Sequence, residues 1–135
     1  MAKEIDFQKE IERVNAHNHY MAHSGIKITE LSLEHAVAEV ELIEERTNLF
    51  GMAHGGLICT MMDCAAGILA RSDGRKYVTS SMELKFIGNV TGGKIYAKSS
   101  VISRGRKLCN LLVQVTSEEG KLLSEGMATF YCISE

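Results

Sequence analysis

The stretch from His54 to Arg71, HGGLICTMMDCAAGILAR, limits what this chain can fold into more than any other segment. Its length and spacing predict a helix, yet apolar residues occupy nearly every side of it. Such a helix must be wrapped by other parts of the chain. Seated within it is a lone carboxylate, Asp63, flanked by Met61, Met62, Cys64 and Ala65. Burial without a partner is costly for a carboxylate, so Asp63 either has hydrogen-bonding partners or is kept because it acts. Desolvation there would raise its pKa and make it a better base.

The rest of the chain supplies the wrapping. Residues 3–23, starting in the charged run Lys3-Glu4, predict one amphipathic helix with Phe7, Ile11, Val14 and Met21 on its apolar stripe and Gly25 as its stop. Residues 26–43 read as strand, with Ala36, Ala38, Val40 and Leu42 sharing a face. After residue 77 the period becomes two. Val78, Ser80, Met82, Leu84 and Phe86 are expected on one face, and Thr79, Ser81, Glu83, Lys85 and Ile87 on the other. KIYAKSSVIS, KLCNLLVQVT and LLSEGMATFYCI follow as strands, separated by RGR and SEEGK turns. A helix, two strands, the apolar helix and four more strands predict an α+β fold. Its form would be a curled antiparallel sheet of five or six strands around one long buried helix, with the last four strands as a meander. We expect one domain over 1–135, with 1–24 as a helical arm and 25–135 as the core.

Composition excludes several classes. A formal net charge of −2 gives no basic face for nucleic acid. No apolar run is long enough to span a membrane, and the charged start does not resemble a secretory signal, so a cytoplasmic location is expected. Cys59, Cys64, Cys109 and Cys132 form no C-x-x-C pair and read as free thiols. His17, His19 and His23 have no nearby acid or thiol to complete a ligand set, so no metal site is expected. The methionines around the helix read as core, or as the lining of an adaptable pocket.

The start of the apolar helix is the candidate site. Gly55 and Gly56 would present unpaired N–H groups at the positive end of the helix dipole, with no side chain in a ligand's way. That arrangement suits negative charge, resident or developing on a carbonyl oxygen. Asn48 lies in the approaching loop, where its amide could orient a water or a carbonyl.

Asn48, five residues, His54-Gly55-Gly56, six residues, Asp63, followed by VTSSMELKF and by SRGRKLCNLLVQV with GKLLSEGMATFYC, resembles the PaaI-like branch of the hotdog-fold acyl-CoA thioesterases. The likeness covers roughly residues 25–133 and implies the following expectations. The reaction is acyl-CoA plus water to carboxylic acid and CoA, with no cofactor. Asp63 is the general base or the nucleophile, the Gly55 N–H polarises the thioester carbonyl, Asn48 places the water or carbonyl, and His54 fixes the loop or touches the thioester. Thr79 or Ser81, expected on one face, supplies a hydroxyl. Arg104, Arg106 and Lys107 meet the nucleotide end of CoA, with Arg71, Arg75 and Lys76 as secondary candidates. Two copies pair edge to edge as a homodimer, or a dimer of dimers, with each site shared between two chains. A hydroxyl common one helical turn beyond the acid is here Gly67, and a usual proline after the third strand is replaced by Gly88-Asn89. The alternatives are a non-catalytic acyl-CoA-binding or regulatory module on the same fold, and a dehydratase relying on a His/acid pair.

Overall fold

The computed structural model describes residues 5–134, so Lys3 and Glu4, where the first helix was expected to begin, lie outside the described residues. Asp6 accepts from the Lys9 amide and opens α1 at Phe7–His17; α2 follows at His19–His23. The single helix expected over 3–23 is broken at Asn18. Asn18 leaves helical geometry at φ −82° and ψ 86°, ends α1, and turns its side chain to the Met21 amide to start α2. Asparagine competes for backbone groups in this way and favours helix ends over interiors. Gly25, at φ 79°, stops α2 as expected. Its amide bonds the Ala22 carbonyl and that of Ile26 bonds Met21, a Schellman closure.

The strands are β1 (Lys27–Leu31), β2 (His35–Leu42), β3 (Lys76–Phe86), β4 (Gly93–Arg104), β5 (Leu108–Ser117) and β6 (Leu122–Ser134), all paired antiparallel in one sheet. Ala36, Ala38, Val40 and Leu42 of β2 are buried as the alternation requires. The buried helix is α3 (Gly55–Ala70), and the sheet curls around it. Met61, Met62, Ile68 and Leu69 are at most 1% exposed. Each buried side chain of that size contributes about 1.5–3 kcal/mol of burial free energy.

The sheet order β1-β2-β4-β5-β6-β3 corrects the expected four-strand meander. Only β4, β5 and β6 form one; β3 pairs with β6 at the far edge. The chain leaves β2, crosses the sheet through α3, and comes down on the opposite side. An apolar helix needs sheet on all its flanks, and that crossing delivers it.

A second correction concerns β3. Thr79 pairs with Phe130, whereas Ser81 pairs with Thr129, so Ser80 is an extra residue in the ladder. Cross-strand partners share a face. Thr79 therefore points with buried Phe130 towards the helix, and Ser81 points the other way, contrary to the shared face that simple alternation predicts.

Candidate active site

The loop before α3 is built by its own polar groups. Asn48 Oδ1 accepts from the Phe50 and Met52 amides at 2.8 and 3.1 Å, and the Asn48 amide donates to the Met52 carbonyl at 2.7 Å. The Asn48 Nδ2 group has no hydrogen-bond partner among the described residues. Asn89 clamps the loop's other end: its Oδ1 accepts from the Ala53 amide, and its Nδ2 donates to the Ala53 carbonyl, both at 3.1 Å. Sequence reasoning treated Gly88-Asn89 as a turn replacement and missed this clamp. A loop asparagine paired in space with a distant loop leaves no periodic signal.

His54 is the N-cap of α3. Its Nδ1 accepts from the Gly56 amide at 2.8 Å, which puts the proton of a neutral ring on Nε2. Its carbonyl takes the Leu57 and Ile58 amides at 3.0 and 3.2 Å. The Ile58 bond is the first regular bond of the helix; of the four orphan amides, His54 to Leu57, that of His54 donates to the Arg46 carbonyl at 3.2 Å, those of Gly56 and Leu57 are held by His54, and the Gly55 N–H is left without a partner among the described residues. A Cβ at Gly55 would meet only the Phe86 ring, at 3.4 Å.

Asp63 lies two turns further on and is half-buried rather than sealed in the core. The Thr79 hydroxyl donates to its Oδ1 at 2.6 Å, and Oδ2 is uncommitted among the described residues. Both side chains line a cavity of about 260 Å³ that also reaches Arg71 and Phe130. Ser81 is absent from this group because of the bulge at Ser80. The neighbouring Cys64 thiol is pushed up to about 12, by burial first and then by the negative charge of Asp63. It stays protonated near neutrality and is no thiolate nucleophile.

The three basic residues of the β4–β5 hairpin separate. Arg104 turns inward: it bonds the Ala70 carbonyl at 2.7 Å, the Leu69 carbonyl at 3.0 Å and Asp73 Oδ2 at 2.9 Å. It caps the C-terminal carbonyls of α3, so the expected phosphate contact is corrected for this residue. Asp73 anchors the same cluster, accepting also from Arg75 and from the Tyr77 hydroxyl at 2.7 Å. Burial raises the Asp73 pKa, but the hydrogen bonds from Tyr77 and Arg75 and the charge of Arg104 outweigh it, leaving the carboxyl below its ordinary value. Arg75, a secondary phosphate candidate, is likewise engaged with Asp73 and with the Arg106 and Gly105 carbonyls. Arg106 and Lys107 stay exposed and line a cavity of about 210 Å³. Among the described residues no group of three His, Cys, Asp or Glu side chains is placed to hold a metal ion, and no helix is long and apolar enough to cross a membrane.

A sequence model of the thioesterase superfamily matches residues 50–124. Acyl-coenzyme A thioesterase 13 of Homo sapiens is 29% identical over 97 residues, 69% of each chain. A thioesterase from Haemophilus influenzae superposes at a TM-score of 0.89 and 22% identity, over 99% of this chain and 96% of that one. The structure of a hypothetical thioesterase protein with coenzyme A from Streptococcus pneumoniae superposes at 0.81 and 22% identity, over 90% and 98% of the two chains.

Proposed function

The chain belongs to the thioesterase superfamily and has the hotdog fold, and from that premise we propose that it hydrolyses acyl-CoA thioesters in a site completed by a second copy of itself. One observation carries the reading: the Gly55 N–H at a helix start has no partner among the described residues, while Asp63, held by Thr79, faces an open cavity two turns away. Eight residues of helix rise about 12 Å, too far for both groups of one chain to act on a single carbonyl. Asp63 of one protomer therefore works opposite Gly55 of its partner.

The surface supports that pairing. β3 is an eleven-residue edge strand with one side of its ladder unpaired among the described residues. Such an edge is a template for another strand. Leu49 and Phe50, at the tip of the loop beside the site, are 91% and 77% exposed, and Val78 and Phe86 on the edge strand are also exposed. A two-fold pairing along β3 gives these apolar groups cover.

In the proposed reaction the Gly55 N–H of one protomer donates to the thioester oxygen, and Asn48 Nδ2 lies in the same loop to orient water or carbonyl. Asp63 of the other protomer takes a proton from water through Oδ2 as the water oxygen bonds to the acyl carbon. The oxyanion collapses, the C–S bond breaks, and the CoA sulfur leaves with the electron pair and recovers the proton from Asp63. The carboxylic acid product releases its own proton to solvent. Thr79, by donating to Oδ1, fixes the carboxylate and leaves Oδ2 as the basic atom. Arg106 and Lys107 meet CoA phosphates at the exposed hairpin.

Thiol release from a set of acyl-CoAs tests this. Wild type turns over, and Asp63→Asn loses about 10²–10⁴-fold in kcat. Tight acyl-CoA binding with no turnover by either protein would identify a binding module instead.

A further inference from the structure

A second cavity, of about 450 Å³, adjoins the one at Asp63 and shares Arg71, Asn18 and Tyr77 with it. Together they form a groove running from Asp63 past the end of α3 to α1. Arg71 stands where the two meet. A Cβ on Gly67 would lie 3.1 Å from a terminal nitrogen of Arg71 and 3.2 Å from the Phe130 ring, so the guanidinium folds back over Gly67, one turn from Asp63. The position left bare by glycine is filled by this cation.

The guanidinium forms no hydrogen bond or ion pair with any described residue. The acid on the adjoining α1, Glu10, is held by Arg13 through two bonds of 2.8 Å. Burial pulls the Arg71 pKa below the ordinary arginine value. Among the described residues lining these two cavities Asp63 is the one acid, against the cations Arg13, Arg71 and Lys76, while Glu10 lines the neighbouring cavity on the α1 side of Arg71. A desolvated, unpaired cation beside a cavity is costly unless something anionic enters. Asn18 adds a donor, since its Oδ1 holds the Met21 amide and its Nδ2 is free among the described residues.

We propose that Arg71, with Asn18, forms an end-group subsite of the acyl pocket that selects acyl thioesters whose chain ends in a carboxylate. This rests on the thioesterase reading above. The guanidinium fork matches a carboxylate edge to edge. One helical turn between Asp63 and Gly67 is roughly 6 Å, which at carbon–carbon bonds of about 1.5 Å suits chains of roughly four to six carbons.

The test compares glutaryl-CoA with pentanoyl-CoA, equal in length but neutral at the end. The readout is the ratio of their kcat/KM values within each protein, which partial misfolding does not move. Wild type favours glutaryl-CoA, and Arg71→Met lowers that ratio by about 10- to 100-fold. Arg71→Lys, which keeps charge but not the fork, recovers part of it. Equal ratios in wild type and Arg71→Met, with both substrates turned over, overturn the subsite and leave the thioesterase reading standing. If neither substrate is turned over, the wider acyl-CoA set decides the thioesterase reading, and binding of the two non-hydrolysable thioether analogues decides the subsite alone. Tighter glutaryl binding that Arg71→Met abolishes supports it, and equal binding overturns it.

Discussion

Gly55→Pro removes one hydrogen-bond donor from the proposed site and almost nothing else. Position 55 is the first residue of α3, where proline's fixed φ is already helical and its missing N–H is an orphan in any case. Here that orphan has no partner among the described residues to lose. The residue before a proline must be extended, and His54 already is, at φ −67° and ψ 136°. The caps that matter, from His54 Nδ1 and from its carbonyl, serve Gly56, Leu57 and Ile58 and are untouched. Restricting the unfolded chain at a compatible site stabilises by about 0.4–1 kcal/mol, so the melting temperature should hold or rise slightly. Losing one oxyanion donor costs about 10²–10³ in kcat, or about 3–4 kcal/mol of transition-state stabilisation. Gly55→Ala is the control, because it keeps the N–H and its Cβ meets the Phe86 ring at an ordinary 3.4 Å. Steady-state thiol release and thermal unfolding on all three proteins settle the matter. Full activity in a folded Gly55→Pro protein would refute the assignment of this amide; a collapse in melting temperature would refute the reasoning about the helix start.

Thr79→Val, which deletes the donor to Asp63, should lower kcat by about 10-fold while leaving unfolding little changed, whereas Ser81→Ala should leave kcat near wild type because the bulge at Ser80 turns it away. Parallel rate measurements on the two variants check this. Asp73→Asn leaves Arg75 and Arg104 without their shared anion and should cost about 3–5 kcal/mol in chemical denaturation at pH 7. The Asp73 carboxyl lies below its ordinary value when folded, so its stabilisation is fully present above the unfolded pKa of about 3.9 and fades as pH falls through and below it. The variant should therefore show a flatter loss of stability across that acid range, measured by denaturation at stepped pH.

Features set by local periodicity were readable in the sequence, and features set by long-range pairing were not. The apolar circumference of 54–71 announced a wrapped helix, and the alternation at 36–42 announced the buried face of β2. The hydroxyl on Asp63 was among the candidates, but a period of two cannot reveal an extra residue at Ser80, so Thr79 and Ser81 could not be told apart. The place of β3 beside β6 follows from where α3 must lie, which no single strand records. Arg104 reads as a charged turn residue; its inward path depends on the bare carbonyls at the end of α3, which arrive from far away in sequence. Arg71 is similar: only the fold shows that Gly67 gives it room to lie back towards Asp63.

The central claim is that each site draws its acid from one chain and its carbonyl donor from another. Refolding an equimolar mixture of Asp63→Asn and Gly55→Pro chains tests it directly. In a two-chain site, half of the dimers are mixed and each mixed dimer keeps one intact site, so thiol release should return to about a quarter of the wild-type rate. A mixture no more active than the two variants kept apart would contradict it.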